Sequence, residues 1–394
     1  MFRCMETSYA PDRVETRAAL LDAVQTITPV LAAHADESER TGTLAEPAWR
    51  ALHDTGLLRL KAPRVLGGYE ADPVTQLEVI EAVSHVDSSA GWTYMVGTGT
   101  LSIISAWLPE AGLAEFMVDG RLPRTVSAIV SIGPAIATTV PGGYRLTGRW
   151  PFGSGSNHAE WFSGKATVDR ADGTARGFAF PVSAVRLHDN WQVGALRGTG
   201  SQDFSVEDLF VPDRHCFDSM GPAQRGGPLY TIGMPGLVVN EHAGFVLGLA
   251  RRSIDEMTRL AATKTRGYVN PESTAGRAVF QADLGRADAA LLAARAGVID
   301  ANERAWANAQ GGLPCGPDLQ TELRAAAVHC HDVAIEVCQR MFRHAGAKSL
   351  FTGNVIERNL RDATAAAQHG QVNETAYELR GREMLGIDVA NVRN

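Results

Sequence analysis

The sequence predicts an α+β fold in which two helical domains flank a central β-barrel domain. Three observations carry that expectation. Residues 1–120 and the residues after 217 place apolar side chains at three- and four-residue spacing, the period of a helix with one buried face. Residues 121–217 hold short β-branched and aromatic runs parted by Gly, Pro and Asp. A Gly/Pro-rich connector (Gly221-Pro222, Gly226-Gly227-Pro228, Pro235-Gly236) then separates strands from helices. The expected domains are 1–120, helical; 121–217, a small barrel or sandwich; and 218–394, a four-helix bundle.

Each element has its own signal. Residues 14–33 align Leu20, Leu21, Val24, Ile27, Val30 and Leu31 on one helical face. A short helix over 47–55 stops at Gly56, which suits the left-handed turn that closes helices. Asp72-Pro73 opens a helix over 74–86, and Asp87-Ser88-Ser89 offers the N-cap of another over 90–107. Strands are expected at 125–130, 135–140, 144–146, 161–168, 176–181 and 204–211, with turns at Pro141-Gly142-Gly143 and Arg170-Ala171-Asp172-Gly173. Ala-rich amphipathic stretches at 238–263, 275–307, 318–345 and 356–381 greatly exceed the usual helix of about 11–12 residues. Such lengths suit a bundle that packs against copies of itself.

Composition excludes several classes. Thirty-seven Lys plus Arg against forty-four Asp plus Glu gives −7 with no run of like charges, which argues against a nucleic-acid partner. No apolar stretch approaches the ~18–20 residues of a membrane span, and the run 243–250 is broken by Gly244 and Gly248. The first residues lack an apolar signal core. Cys4, Cys216, Cys315, Cys330 and Cys338 are scattered without C-x-x-C spacing, so reduced thiols and a cytoplasmic location are expected. His329-Cys330-His331 sets its imidazoles about 200° apart on a helix, and no metal site is expected. Gly97-Thr98-Gly99 and Gly198-Thr199-Gly200 lack the third glycine and the βαβ context of a dinucleotide fingerprint.

The most informative segment runs Gly143-Tyr144-Arg145-Leu146-Thr147-Gly148-Arg149-Trp150-Pro151-Phe152-Gly153-Ser154-Gly155-Ser156-Asn157-His158. Aromatic rings to cover a face, glycines for close approach and a hydroxyl for a ring nitrogen are what a planar heteroaromatic cofactor needs. Two more segments join it: Leu196-Arg197-Gly198-Thr199-Gly200-Ser201-Gln202-Asp203, and Arg343-His344-Ala345-Gly346-Ala347 followed by Glu357-Arg358-Asn359-Leu360-Arg361-Asp362-Ala363 and then His369. With the α–β–α layout, these segments resemble the acyl-CoA dehydrogenase superfamily, and within it the group D two-component flavin monooxygenases. Trp150-Pro151-Phe152-Gly153-Ser154-Gly155 is similar to that branch's W-x-[FW]-x-S-G motif, and Ser89-Ala90-Gly91-Trp92 to its S-[AT]-G-W element. The dehydrogenases of one large class carry a catalytic Glu nine residues after the Arg of the Arg-Asp-Ala element. That slot is Gly370 here, directly after His369, where the oxygenases carry an active-site His.

The resemblance implies reduced FAD as cofactor (FADH2, with FMN as an alternative), delivered by a separate NAD(P)H-dependent flavin reductase. It further implies O2 and a small aromatic substrate, such as a phenol or indole, and a homotetramer. Its oxygenases form a flavin C4a-hydroperoxide and transfer OH from it. Ser154 would hydrogen-bond flavin N5, and His369 would act as base toward the substrate or as donor to the peroxide. Trp150, Phe152, Gly155, Ser127, Thr199, Ser201, Arg266 and Gly346 would bind cofactor, Arg266 through a phosphate. Trp92, Thr100 and His369 would meet substrate; Thr100 stands where some relatives carry a second His. Alternatives on the same scaffold are a dehydrogenase with its base on another helix, an N- or S-oxygenase, and a non-catalytic flavoprotein.

Overall fold

The computed structural model describes residues 13–169, 173–266 and 272–389. Helix α1 (Arg13–Thr41) buries Leu20, Val24, Ile27 and Leu31, the face its periodicity marks. It outlasts the apolar pattern by two turns because its polar end is held by ion pairs, Asp36 with Arg358 and Glu39 with Arg361. By length and composition α1 could cross a membrane, contrary to the sequence expectation, but in this fold its apolar face belongs to the protein core.

Helices α2 (Glu46–Asp54), α3 (Pro73–Val86) and α4 (Ser88–Trp107) follow as read. Asp72 accepts from the Val74 and Thr75 amides and Asp87 from that of Ala90, so both expected caps are made. Helix α5 (Glu110–Phe116) is too short to show a period.

The middle zone is one mixed sheet of β1 (Thr125–Ala128), β2 (Ile136–Val140), β3 (Gly143–Gly153), β4 (Trp161–Val168), β5 (Ala175–Pro181), β6 (Arg186–His188), β7 (Gln202–Pro212) and β8 (Cys216–Phe217). Its order is β6-β7-β3-β2-β4-β5-β8, with β1 parallel to β4. The sheet curls around Trp150, Phe162, Phe178, Phe180 and Phe204, while β6 and β8 each pair on one side and leave the barrel open between them. Strand β3 runs seven residues past the expected end at Leu146. Its pairing with β7 continues through Trp150 opposite Phe204, across irregularities at Leu146/Gly148 and Trp150/Gly153. The aromatic motif is therefore strand, and only Ser154-Gly155 begins the turn.

Helix α6 (Gly236–Thr263) opens the last zone, followed by the small ladder of β9 (Thr265–Arg266) and β10 (Glu272–Ser273). Helices α7 (Ala278–Gln310), α8 (Pro317–Ala345), α9 (Val355–Ala366) and α10 (Thr375–Met384) complete it. The two glycines of the run 243–250 are contact points. A Cβ on Gly244 would meet the Leu77 carbonyl at 2.5 Å and one on Gly248 the Glu81 carbonyl at 2.5 Å, so α3 lies directly on α6. N- and C-terminal helices consequently share one apolar core, and the sheet has its own.

The expected helix 356–381 is broken between α9 and α10. Buried Arg324 of α8 donates to the Gln371 carbonyl at 3.0 Å and the Gly370 carbonyl at 3.1 Å, giving both a partner outside a helix. Val372 is buried against Val328 and Ala376 and pins the turn. His369 rides on this turn rather than on a helix face.

Candidate active site

Three strand and helix ends converge on Ser154. At the end of β3, Phe152 adopts φ +64°, a left-handed conformation rare for a bulky residue, and is 68% exposed on the outside of the barrel. Its ring meets Trp191 edge-on at 6.3 Å. Gly155 at φ +78° turns the chain, its N–H donating to the Thr199 carbonyl at 2.8 Å, and a Cβ there would press on Thr93 at 3.1 Å.

Ser154 is buried, and its Oγ accepts from the Trp92 indole N–H at 3.1 Å. It also lies 2.7 Å from the Ser201 hydroxyl, which lies 2.6 Å from that of Thr199, which donates to the Leu196 carbonyl at 2.8 Å. Beside them a narrow cleft is lined by Trp49, Thr93, Gly97, Arg124, Ser154 and Gly155. Trp92 also faces the helical side. Its ring meets Phe245 at 5.1 Å, His242 at 5.9 Å and His369 at 5.9 Å, all edge-on. The predicted pair Ser154 and His369 thus both meet one indole, Ser154 at its N–H and His369 edge-on to its ring.

His369 keeps much of its own surface accessible, yet protein surrounds it on most sides, as for a side chain on a cavity wall. That burial lowers its pKa to about 4, so the ring is neutral at pH 7. Its Nδ1 accepts from the Gln371 N–H at 3.3 Å, which leaves the ring proton on Nε2. Of the two roles expected from sequence, this tautomer favours the donor.

Two more histidines join this cluster: His242, which the sequence reading missed, and His331, which it weighed only as a metal ligand and set aside. His242 of α6 is buried 4.4 Å from His369, ring to ring, and its Nδ1 has no hydrogen-bond partner. Burial, then His369, holds its pKa well below the usual value. His331 of α8 lies 6.2 Å from His242 and is lowered to about 3, chiefly by burial and then by His369, with the His242 backbone acting the other way. A signal existed. Asn240-Glu241-His242 puts three polar residues directly before the apolar run, and on a buried helix all three need a purpose.

Other expected site residues lie elsewhere. Trp150 does not line the pocket; it fills the barrel core, stacked on Phe204 at 5.4 Å, with its N–H donated to the Lys165 carbonyl. Inward alternation along β3 sends residue 150 in, and the twist at Phe152 sends that ring out. Ser127 pairs with Ser163 between β1 and β4, away from the hydroxyl chain. Thr100 is buried on α4, two turns beyond Trp92, and makes no hydrogen bond to the groups around Ser154. Gly346 ends α8 at φ +70° and accepts from Ser349, with no bond to the Ser154 group. The side chain of Arg266 lies outside the described residues. His158, stacked on Trp49 at 4.9 Å and bonded to the Leu44 carbonyl, braces α2 against the turn.

Known proteins resemble this chain in sequence and in fold. Residues 15–114 match the acyl-CoA dehydrogenase N-terminal domain and residues 241–374 the acyl-CoA dehydrogenase C-terminal domain. The chain belongs to the acyl-CoA dehydrogenase family. Among its members, the indole-3-acetate monooxygenase of Pseudomonas putida is 30% identical over 93% of this chain and 92% of that one. The oxygenase subunit HsaA of a flavin-dependent monooxygenase from Rhodococcus jostii is 26% identical over 92% and 97%. In structure, XiaF from Streptomyces sp., solved with FADH2 and glycerol, superimposes with TM-score 0.89 at 26% identity, covering 97% and 98% of the two chains. At the dehydrogenase glutamate slot this family member presents Gly370, exposed and without a side chain.

Proposed function

We propose that this chain is the oxygenase component of a two-component flavin-dependent monooxygenase that hydroxylates a small aromatic substrate, such as an indole or phenol. The carrying observation is Trp92, which bonds Ser154 through its N–H and meets the His369 ring edge-on, with no carboxylate at position 370. Bound reduced flavin (FADH2, with FMN as an alternative) supplies activation of O2 and transfer of one oxygen atom. The remaining work falls to the chain. Phe152, an exposed ring, would lie beside the isoalloxazine, and Ser154 would hold its oxygen toward N5. Phe245 and Trp92 exclude water from the reacting side. His369 holds its proton at Nε2 to stabilise charge on the substrate oxygen or nitrogen, and His242 backs it. The reductase is a separate protein, in keeping with the relative HsaA being an oxygenase subunit, and it would draw on NAD(P)H, for which this chain has no dinucleotide fingerprint.

The dehydrogenase alternative needs a free carboxylate on another helix. Glu241 of α6 is near, but it is paired with buried Lys61. Mixing the protein anaerobically with FADH2, then with oxygen and an indole or phenol, should give hydroxylated product. Oxidation of an acyl-CoA without oxygenation would overturn the reading.

Two further outcomes follow from it. Ser154→Ala should fold normally, since one hydrogen bond contributes about 0.5–1.5 kcal/mol. It should release more H2O2 per flavin oxidised; unchanged coupling removes Ser154 from N5. The chain should also be a homotetramer, four times 42.1 kDa, because Leu292 on α7 and Leu350 and Phe351 after α8 remain exposed. Light scattering at micromolar concentration checks this, and a monodisperse monomer contradicts it.

A further inference from the structure

Four groups in line fix the direction of every hydrogen bond beside Ser154. The Leu196 carbonyl can only accept, so Thr199 spends its single hydroxyl proton on it at 2.8 Å. Thr199 has none left for Ser201, so Ser201 donates the 2.6 Å bond between them. By the same count Ser154 donates its 2.7 Å bond to Ser201. Trp92, a donor only, gives its indole proton to Ser154. Ser154, Thr199 and Ser201 are buried, so water does not scramble this order. The far end is anchored as well. Leu196 sits at φ +51°, and its N–H donates at 2.7 Å to Asp362, a buried carboxylate that also accepts from Ser88 at 2.5 Å.

We infer that this one-way chain makes Ser154 a hydrogen-bond acceptor toward flavin, so that the site selects reduced flavin, whose N5 carries a proton, over oxidised flavin, whose N5 does not. The inference rests on the placement of Ser154 at N5 proposed above. It adds Thr199 and Ser201 as positioning residues that set redox selectivity while acting through Ser154. An oxidised flavin needs a proton from Ser154. Supplying it reverses Ser201 and Thr199 and leaves the Leu196 carbonyl facing a lone pair at 2.8 Å. That forfeits about one hydrogen bond, on the order of fivefold in affinity.

The test is equilibrium binding of oxidised FAD in air and of FADH2 under anaerobic conditions, to the parent chain, Ser201→Ala and Thr199→Val. The parent should prefer FADH2. In Ser201→Ala, Ser154 loses its acceptor and turns its proton to N5, so oxidised FAD should bind about fivefold tighter and the preference shrink accordingly. The same change lowers the two-electron potential of the bound flavin by about 20 mV. Thr199→Val frees Ser201 to donate to Ser154 and should shift the preference in the same direction while retaining shape. An unchanged preference in either variant that keeps the parent circular dichroism overturns the inference. If the parent binds neither form at micromolar concentration, the placement of flavin at Ser154 is what fails.

Discussion

Replacing His369 by alanine should lower hydroxylation by about 10²–10³-fold, the usual loss when a donor aimed at developing charge is removed. Reduced flavin should still bind, because the Ser154 chain makes no bond to His369. His369→Gln carries an N–H that can take the place of Nε2–H but cannot act as a base. With Nδ1 accepting from Gln371, the glutamine variant should recover at least about tenfold over alanine. Glutamine as inactive as alanine would instead make His369 the base. The pH profile gives a second check. A ring lowered to about 4 is neutral from about pH 6 to 8, so the parent rate should show no limb near 6.5 and should fall only in acid. A His369→Ala variant that hydroxylates at the parent rate would strip the oxygenase reading of its substrate-side residue.

Much of this site was readable before any coordinates, and the misses have physical causes. Ser154, Thr199, Ser201, Trp92 and His369 all lie in short motifs of fixed spacing, and the structure gathers Ser154, Thr199 and Ser201 through hydroxyls and His369 through one indole. Trp150 was misplaced because a motif does not say which way its residues face. That is decided by β3 continuing to Gly153, so that alternation drives Trp150 into the barrel. His369 read as helical because the Ala-rich pattern was carried through Gly370, whereas the break there is held by Arg324, distant in the chain. His242 and His331 each look ordinary alone; only the packing of α6 against α8 sets their rings 6.2 Å apart. The end of α1 was likewise set by tertiary ion pairs, Asp36 with Arg358 and Glu39 with Arg361, that no local pattern encodes.

Lys61→Met should destabilise the protein by about 3–5 kcal/mol, the range for stranding one member of a buried ion pair. The Lys61 side chain is fully buried, and its ammonium bonds the Glu241 carboxylate and, at 2.7 Å, the Leu237 carbonyl. Burial alone pulls the Lys61 pKa down to about 7, so the neighbouring carboxylate is what makes its charge tolerable there. Without Lys61, the Glu241 carboxyl is left without its cation in the apolar core, one residue from His242. Urea unfolding should therefore show a lower midpoint. Adding Glu241→Leu should restore most of the loss, because removing both charges leaves neither group unsatisfied. The pH dependence has a definite sign. In Lys61→Met the stranded carboxylate holds a proton more readily when folded than when unfolded, so its deficit should shrink as pH falls from about 8 to 5. A Lys61→Met protein as stable as the parent at both pH values would mean that the pair carries no weight where the segment between α2 and α3 meets α6.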